Sequence, residues 1–159
     1  MNGFTEQGHG CVTLQKAYKN GKLVSVAEVY SCEEAGYGEI IKRWTGYNED
    51  GSKYIYEYNV YGECVKETYY DENGNLIKEY TYSYEYDRER NIILELIYMD
   101  GELIAEEHRY SIDDGISCAG TIKKWIEYFD DGSYRVTDYN MYGEQTSVVV
   151  YDKNGNVIG

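Results

Sequence analysis

IKRWTGYNEDGSKYIYEYNVYGECVKETYYDENGNLIK, residues 41–78, and IKKWIEYFDDGSYRVTDYNMYGEQTSVVVYDKNGNVIG, residues 122–159, lie on one another without a gap, with about half their positions identical. Trp44 falls on Trp125, Asp50-Gly51-Ser52 on Asp131-Gly132-Ser133, Tyr58-Asn59 on Tyr139-Asn140, and Tyr61-Gly62-Glu63 on Tyr142-Gly143-Glu144. The likeness continues upstream. Gly21-Lys22-Leu23-Val24 and Tyr30-Ser31 match Gly101-Glu102-Leu103-Ile104 and Tyr110-Ser111 with one residue of slippage, which belongs in a loop. The chain therefore reads as two tandem repeats of about 80 residues, approximately 10–80 and 90–159. No Gly/Ser or charged linker separates them, so the expectation is a single domain over residues 1–159.

Turn signals recur inside each copy, at Asn20-Gly21, Asp50-Gly51, Tyr61-Gly62, Asn73-Gly74, Asp100-Gly101, Asp131-Gly132, Tyr142-Gly143 and Asn154-Gly155. Asn-Gly and Asp-Gly supply the positive φ of tight hairpins at little steric cost. The sequence between them alternates. From Glu79 to Tyr86, Tyr80, Tyr82, Tyr84 and Tyr86 fall on one face and Glu79, Thr81, Ser83 and Glu85 on the other. Asn91 to Tyr98 carries Ile92, Leu94 and Leu96 on one face and Ile93 and Ile97 on the other, which marks it as covered on both sides and as the centre of the core. The acidic stretches Ser31–Gly38 and Ser111–Gly120 read as longer loops. The fold class that follows is all-β: an antiparallel β-hairpin meander of about twelve strands, either an open twisted sheet or solenoid or a partly closed barrel.

The 159 residues suffice to bury about two-thirds of the surface of the unfolded chain. Fifteen Lys and Arg against 29 Asp and Glu give a formal charge of −14, which repels nucleic acid and anionic membrane and attracts basic partners. Tyrosine dominates the aromatics, 21 against two Phe and two Trp, and proline is absent. Tyrosine suits a half-buried pleated surface, where the ring packs and the hydroxyl stays wet, and this aromatic content argues against disorder. Residues 1–8 show neither a basic nor an apolar targeting region, and no stretch approaches a membrane span. A cytoplasmic protein is the expectation.

Tyr70-Asp71-Glu72-Asn73-Gly74-Asn75-Leu76 and Tyr151-Asp152-Lys153-Asn154-Gly155-Asn156-Val157 resemble the tyrosine-aspartate (YD) repeats of bacterial Rhs and teneurin-like proteins. Tyr84-Glu85-Tyr86-Asp87 followed by Asn91-Ile92 looks like a degenerate third instance, with Arg90 where that family has glycine. Tyr18-Lys19-Asn20-Gly21-Lys22-Leu23 and Tyr98-Met99-Asp100-Gly101-Glu102-Leu103 are similar to the repeats of MORN-variant antitoxin proteins. Both resemblances imply β-hairpin units. Neither carries over a functional residue.

Little catalytic chemistry is legible. The two histidines are His9 and His108, too few for His-based metal sites or a Ser-His-Asp triad. His9-Gly10-Cys11 has the spacing of a Cys-His dyad on one strand face but no orienting acid, and His108 reads as an exposed strand residue. Cys11, Cys32, Cys64 and Cys118 are too dispersed for a zinc ribbon and read as free thiols. Carboxylates are so abundant that no acid pair stands out. Asp71-Glu72-Asn73-Gly74-Asn75 lacks the alternating acids of a calcium loop, and no Gly-rich phosphate loop occurs. The expectation is no enzyme, no catalytic residue, no cofactor and no metal.

What is left is tyrosine. Rows of it across strands hold a sheet together, and an exposed row makes a contact surface, because tyrosine concentrates at interface hot spots. Tyr54, Tyr56 and Tyr58 have Arg135, Thr137 and Tyr139 as mates, so the first copy has gained two rings that the fold alone did not demand. With Glu57, Tyr80, Tyr82, Tyr84 and Glu85 they form the candidate partner-binding set. The expected function is an acidic inhibitor, an immunity or antitoxin protein or a phage-encoded inhibitor of a bacterial defence enzyme. Its expected partner is a basic protein such as a nuclease toxin or a nucleic-acid-binding defence enzyme, with no direct nucleic-acid or membrane contact. The alternatives are a carbohydrate or cell-wall module with tyrosine platforms, or a structural piece of a YD-repeat assembly, whose unpaired edge at Asn156–Gly159 would seek a partner, including a second copy in a homodimer.

Overall fold

Among the described residues, seven turns share one hydrogen-bonding pattern, starting at Asn48, Asn59, Asp71, Asp87, Phe129, Asn140 and Asp152. In each, the first residue's N–H donates to the carbonyl four residues on, and its carbonyl accepts from the N–H three residues on. The fourth position takes a positive φ, supplied by Gly51, Gly62, Gly74, Gly132, Gly143 and Gly155, and in one turn by Arg90 at 65°. Asn20-Gly21 and Asp100-Gly101 are of another kind, two-residue turns with both φ values positive, the geometry that suits a strand twist. A side chain costs about 1–2 kcal/mol in the left-handed region, and the Arg90 guanidinium recovers part of this over the Tyr86 ring, 4.4 Å from its centroid. Arg90→Gly is therefore expected to raise stability by up to about 1 kcal/mol, read as a higher urea midpoint at unchanged slope.

This computed structural model describes residues 14–30, 40–115 and 117–159. The His9–Cys11 pair, Cys32 and the acidic stretch 31–38 lie outside the described residues. The strands are β1 (Leu14–Lys19), β2 (Lys22–Val29), β3 (Ile41–Tyr47), β4 (Lys53–Tyr58), β5 (Cys64–Tyr70), β6 (Leu76–Tyr86), β7 (Ile92–Met99), β8 (Glu102–Arg109), β9 (Ile122–Tyr128), β10 (Tyr134–Tyr139) and β11 (Gln145–Tyr151). The described residues thus form eleven strands and no helix. Strand order in the sheet is sequence order, a linear antiparallel meander with β1 and β11 at its ends, which is the open-sheet alternative.

Two compact units divide within β6, Met1–Thr81 and Tyr82–Gly159. β1 and β2 recur in β7 and β8 at an offset of 80 (Lys22 to Glu102), and β3, β4 and β5 recur in β9, β10 and β11 at an offset of 81 (Ile41 to Ile122). The added residue falls in the connection after β8. Irregularities recur with the strands: register shifts at Ala17/Tyr18, Glu28/Val29 and Glu57/Tyr58 have counterparts at Ile97/Tyr98, His108/Arg109 and Asp138/Tyr139. So does a long-range contact. Tyr30 donates its hydroxyl to the Tyr58 carbonyl at 2.6 Å, and Tyr110 donates to the Tyr139 carbonyl at 3.0 Å.

Burial is spread thinly. The buried apolar residues among those described are Ala27, Val29, Ile55, Ala105 and Cys118, joined by Thr68, Glu107 and Thr137. β7, expected to be the core's centre, is half-buried at every position. The physical reason is that pleated side chains are covered by their neighbours in the same sheet. Short residues sink between long ones, and long aliphatic ones keep one flank wet. Ile55 and Thr68 are opposed across β4 and β5, on a face that also carries the Arg43–Glu57 and Lys66–Glu79 ion pairs, at 4.0 Å and 2.9 Å.

The described residues of 111–120 form turns and no helix, with Cys118 seated among them at 2 % exposure. Asp87 ties this connection down, accepting from the N–H groups of Glu89 and Asn91 and from that of Ile112. Burial opposes ionisation, but hydrogen bonds from Asn91, Ile112 and Glu89 outweigh it and hold the Asp87 carboxyl down at about 2. The tail at Asn156–Gly159 is paired on its inner side, where Val157 bridges Tyr151 and Ile158 and Gly159 bond the backbone of Val150.

Candidate functional site

Directly opposed residues of an antiparallel ladder share a face. In the first unit, the register places Trp44 opposite Tyr56, Tyr56 opposite Glu67 and Glu67 opposite Tyr80. The adjacent row on that face is Gly46, Tyr54, Tyr69 and Lys78. Trp44 lies nearly parallel to Tyr56, with centroids 5.8 Å apart at 8°, and is tilted against Tyr54 at 5.2 Å. Tyr69 meets Tyr56 and Tyr80 edge-on, at 83° and 87°. Such tilted pairs are favourable beyond the area they bury.

The polar ends of this cluster are joined. Tyr69 donates its hydroxyl to Glu67 Oε2 at 2.7 Å and lies 3.3 Å from the Tyr56 hydroxyl. Burial, then the hydrogen bond to Glu67, pushes the Tyr69 phenol far above its ordinary value, so it remains a neutral donor. The Lys78 ammonium sits 4.8 Å from the Tyr69 centroid and 5.1 Å from that of Tyr80.

Of the sequence-chosen residues, Tyr54, Tyr56 and Tyr80 belong to this cluster. Tyr58 follows on the same strand at the register shift and pairs with Cys64. Glu57 is on the opposite face, facing Arg43. Tyr82, Tyr84 and Glu85 fall in the second unit, where Tyr84 lies 6.4 Å from Tyr86 and Glu85 is exposed. Trp44, Glu67 and Tyr69 join the chosen tyrosines on this face although the sequence did not single them out, because only cross-strand register brings them together. His108, expected to be exposed, is half-buried with its Nε2 2.9 Å from Glu106 Oε2. Tyr128 donates to the other oxygen of Glu106 at 2.5 Å, and burial followed by that bond pushes its phenol up to about 12.

On the equivalent face of the second unit the row is Glu95, Glu107, Trp125, Thr137 and Val148. An acid pair that the sequence hid among many carboxylates is here made by register. Glu107 is 8 % exposed, and Arg109 reaches both acids, forming an ion pair with Glu107 and lying 3.6 Å from Glu95. Burial, then the charge of Glu107, raises the Glu95 carboxyl above its ordinary value, with Arg109 opposing. A carboxyl raised by folding binds its proton more tightly in the folded state, so its ionised form opposes folding above that value and has no effect below the unfolded one. Glu95→Gln is thus expected to raise the urea midpoint at pH 7 and to leave it unchanged near pH 4, as paired titrations at the two pH values will show.

Beyond Trp125 lies a depression of about 330 Å³ lined by Trp125, Arg135, Thr137, Tyr139, Gln145 and Val148. Among the described residues, no group of three or more His, Cys, Asp or Glu is placed to hold a metal ion.

No family model matches the chain. No curated protein matches it by sequence. Among solved structures, it is similar to a porin-like protein from Bacteroides uniformis (16% identity, 86% of this chain and 44% of that one, TM-score 0.32). It is also similar to a chain in the GtfA/B complex bound to UDP and GlcNAc (7% identity, 95% and 24%, TM-score 0.27) and to TarM (9%, 78% and 19%, TM-score 0.20). The chain spans less than half the length of each, and at these TM-scores the similarities carry no argument about its activity.

Proposed function

We propose that the chain is an acidic binding protein that inhibits a basic protein, of the immunity, antitoxin or anti-defence kind, and that its contact surface is the aromatic face of the first unit. The observation that carries this reading is the contiguous set Trp44, Tyr54, Tyr56, Tyr69 and Tyr80 around Glu67. Its rings are half-exposed and already fixed by one another, so little side-chain entropy is lost when a partner covers them. A net charge of −14 speeds encounter with a basic protein. The carbohydrate alternative is less favoured by the geometry, since Trp44–Tyr56 and Tyr54–Tyr69 are near parallel but the other ring pairs of the cluster are inclined at 56° to 87°, so the set does not make one flat platform for a sugar.

The test is inhibition of basic nucleases by the purified chain, with association measured over a range of salt. The expected result is salt-sensitive association and loss of nuclease activity. Tyr56→Ser with Tyr80→Ser should weaken binding by roughly 30-fold or more, the effect of losing one hot spot of about 2 kcal/mol, with an unchanged circular dichroism spectrum. No association at low salt, or equal binding by the double variant, overturns the proposal.

A further inference from the structure

The depression on the second unit overlaps the place that Trp44, Tyr54, Tyr56 and Glu67 of the aromatic face take in the first. At the common offset of 81, Trp125, Arg135, Thr137, Tyr139, Gln145 and Val148 stand where the first unit has Trp44, Tyr54, Tyr56, Tyr58, Cys64 and Glu67. The indole is kept and the two rings that lie on it are not. Tyr56, parallel to Trp44, is replaced by the buried Thr137, and Tyr54 by Arg135. Among the described residues no aromatic ring packs on Trp125. Its flank is open to a space of about 330 Å³, within the range of small-ligand sites.

We infer that this hollow is a socket for a tyrosine side chain of a partner polypeptide. The shape argument comes from the molecule itself, since on the same backbone ladder the first unit fills this place with a phenol ring. The wall chemistry agrees. Arg135 is bonded to Glu127, directly opposite on β9, and its planar guanidinium offers an aromatic ring a cation–π face. Indole on one side and guanidinium on another suit a flat, electron-rich ring, and Gln145 at the rim supplies an amide for a phenolic hydroxyl. The socket is separate from the proposed contact face of the first unit and stands or falls without it.

The test uses the full chain and N-acetyl-L-tyrosinamide, followed through the indole N–H signals in ¹H–¹⁵N spectra. The two tryptophans give two such signals, which Trp44→Phe assigns. The expected result is a saturable shift of the Trp125 signal alone, with a half-point on the order of millimolar, normal for a fragment-sized ligand. Thr137→Tyr, which installs the first unit's own residue, should raise that half-point at least about tenfold, whereas Thr137→Val, which keeps the space, should leave it within about twofold. No shift at Trp125, an equal shift in Thr137→Tyr, or a response to N-acetylglucosamine in place of the tyrosine amide overturns the inference. So does a Trp125 signal that moves with protein concentration and is silenced by Tyr142→Ser, since the occupant would then be a second copy.

Discussion

Trp44→Ala is expected to cost about 3 kcal/mol of stability, and Trp125→Ala, its counterpart in the second repeat, roughly half as much. Removing a well-packed tryptophan costs about 3–5 kcal/mol, and the lower end applies because Trp44 keeps one flank in water. Its contacts with Tyr54 and Tyr56 add to that cost, and their loss would leave two phenol rings without the surface they lean on. Among the described residues Trp125 has no such rings to lose. Urea unfolding followed by circular dichroism gives both values, and equal losses from the two substitutions would contradict the packing described for the first unit.

Gly46→Ala is expected to cost about 2 kcal/mol, although alanine ordinarily favours a strand over glycine. A Cβ at Gly46 would intrude on the Tyr54 ring, 2.7 Å from its hydroxyl oxygen and 2.8 Å from Cε2. The ring lies across the glycine and shields its backbone, a known way of stabilising a strand that carries glycine. Tyr54 is hemmed in by Trp44, Tyr56 and Tyr69, so yielding to the methyl group would disturb all three contacts. The second repeat solves the same cross-strand position differently, with Glu127 and Arg135 paired. Gly46→Glu with Tyr54→Arg should therefore be more stable than the sum of the two single changes predicts, by about 1 kcal/mol or more. Strict additivity in a double-mutant cycle would show that the ring and the glycine are not coupled.

The all-β fold was legible because its signals are local. Gly and Asn-Gly set the turns, alternation sets the strands, and the repeat supplies the order of both. Arg90 shows how literal the pattern is, since it takes the positive φ of the glycine it replaces. The aromatic cluster was legible in part. Tyr54 and Tyr56 stood out because the second copy lacks them, but Trp44, Glu67 and Tyr69 join them only through a register that depends on the shifts at Glu57/Tyr58 and Tyr69/Tyr70. Glu57 was misplaced for a simpler reason, which is that a residue between two tyrosines of a strand faces away from both. The hollow beside Trp125 could not be read from residues present, because it is made by two rings that are missing. β7 was mistaken for the core because a continuous apolar run reads alike in a two-sided interior and in a sheet whose own side chains provide the cover.

The returning tail has a further meaning. Val157 and Ile158 stand at the offset of 81 from Leu76 and Ile77, the residues that open β6 after β5, and they lie along β11 as the start of such a strand. A third module fused in frame behind Gly159 would find its first rung already laid. Array length thus becomes an adjustable dimension for engineering, with each added module bringing either a filled aromatic cluster or an empty cup, according to whether Tyr54 and Tyr56 or Arg135 and Thr137 are written into it.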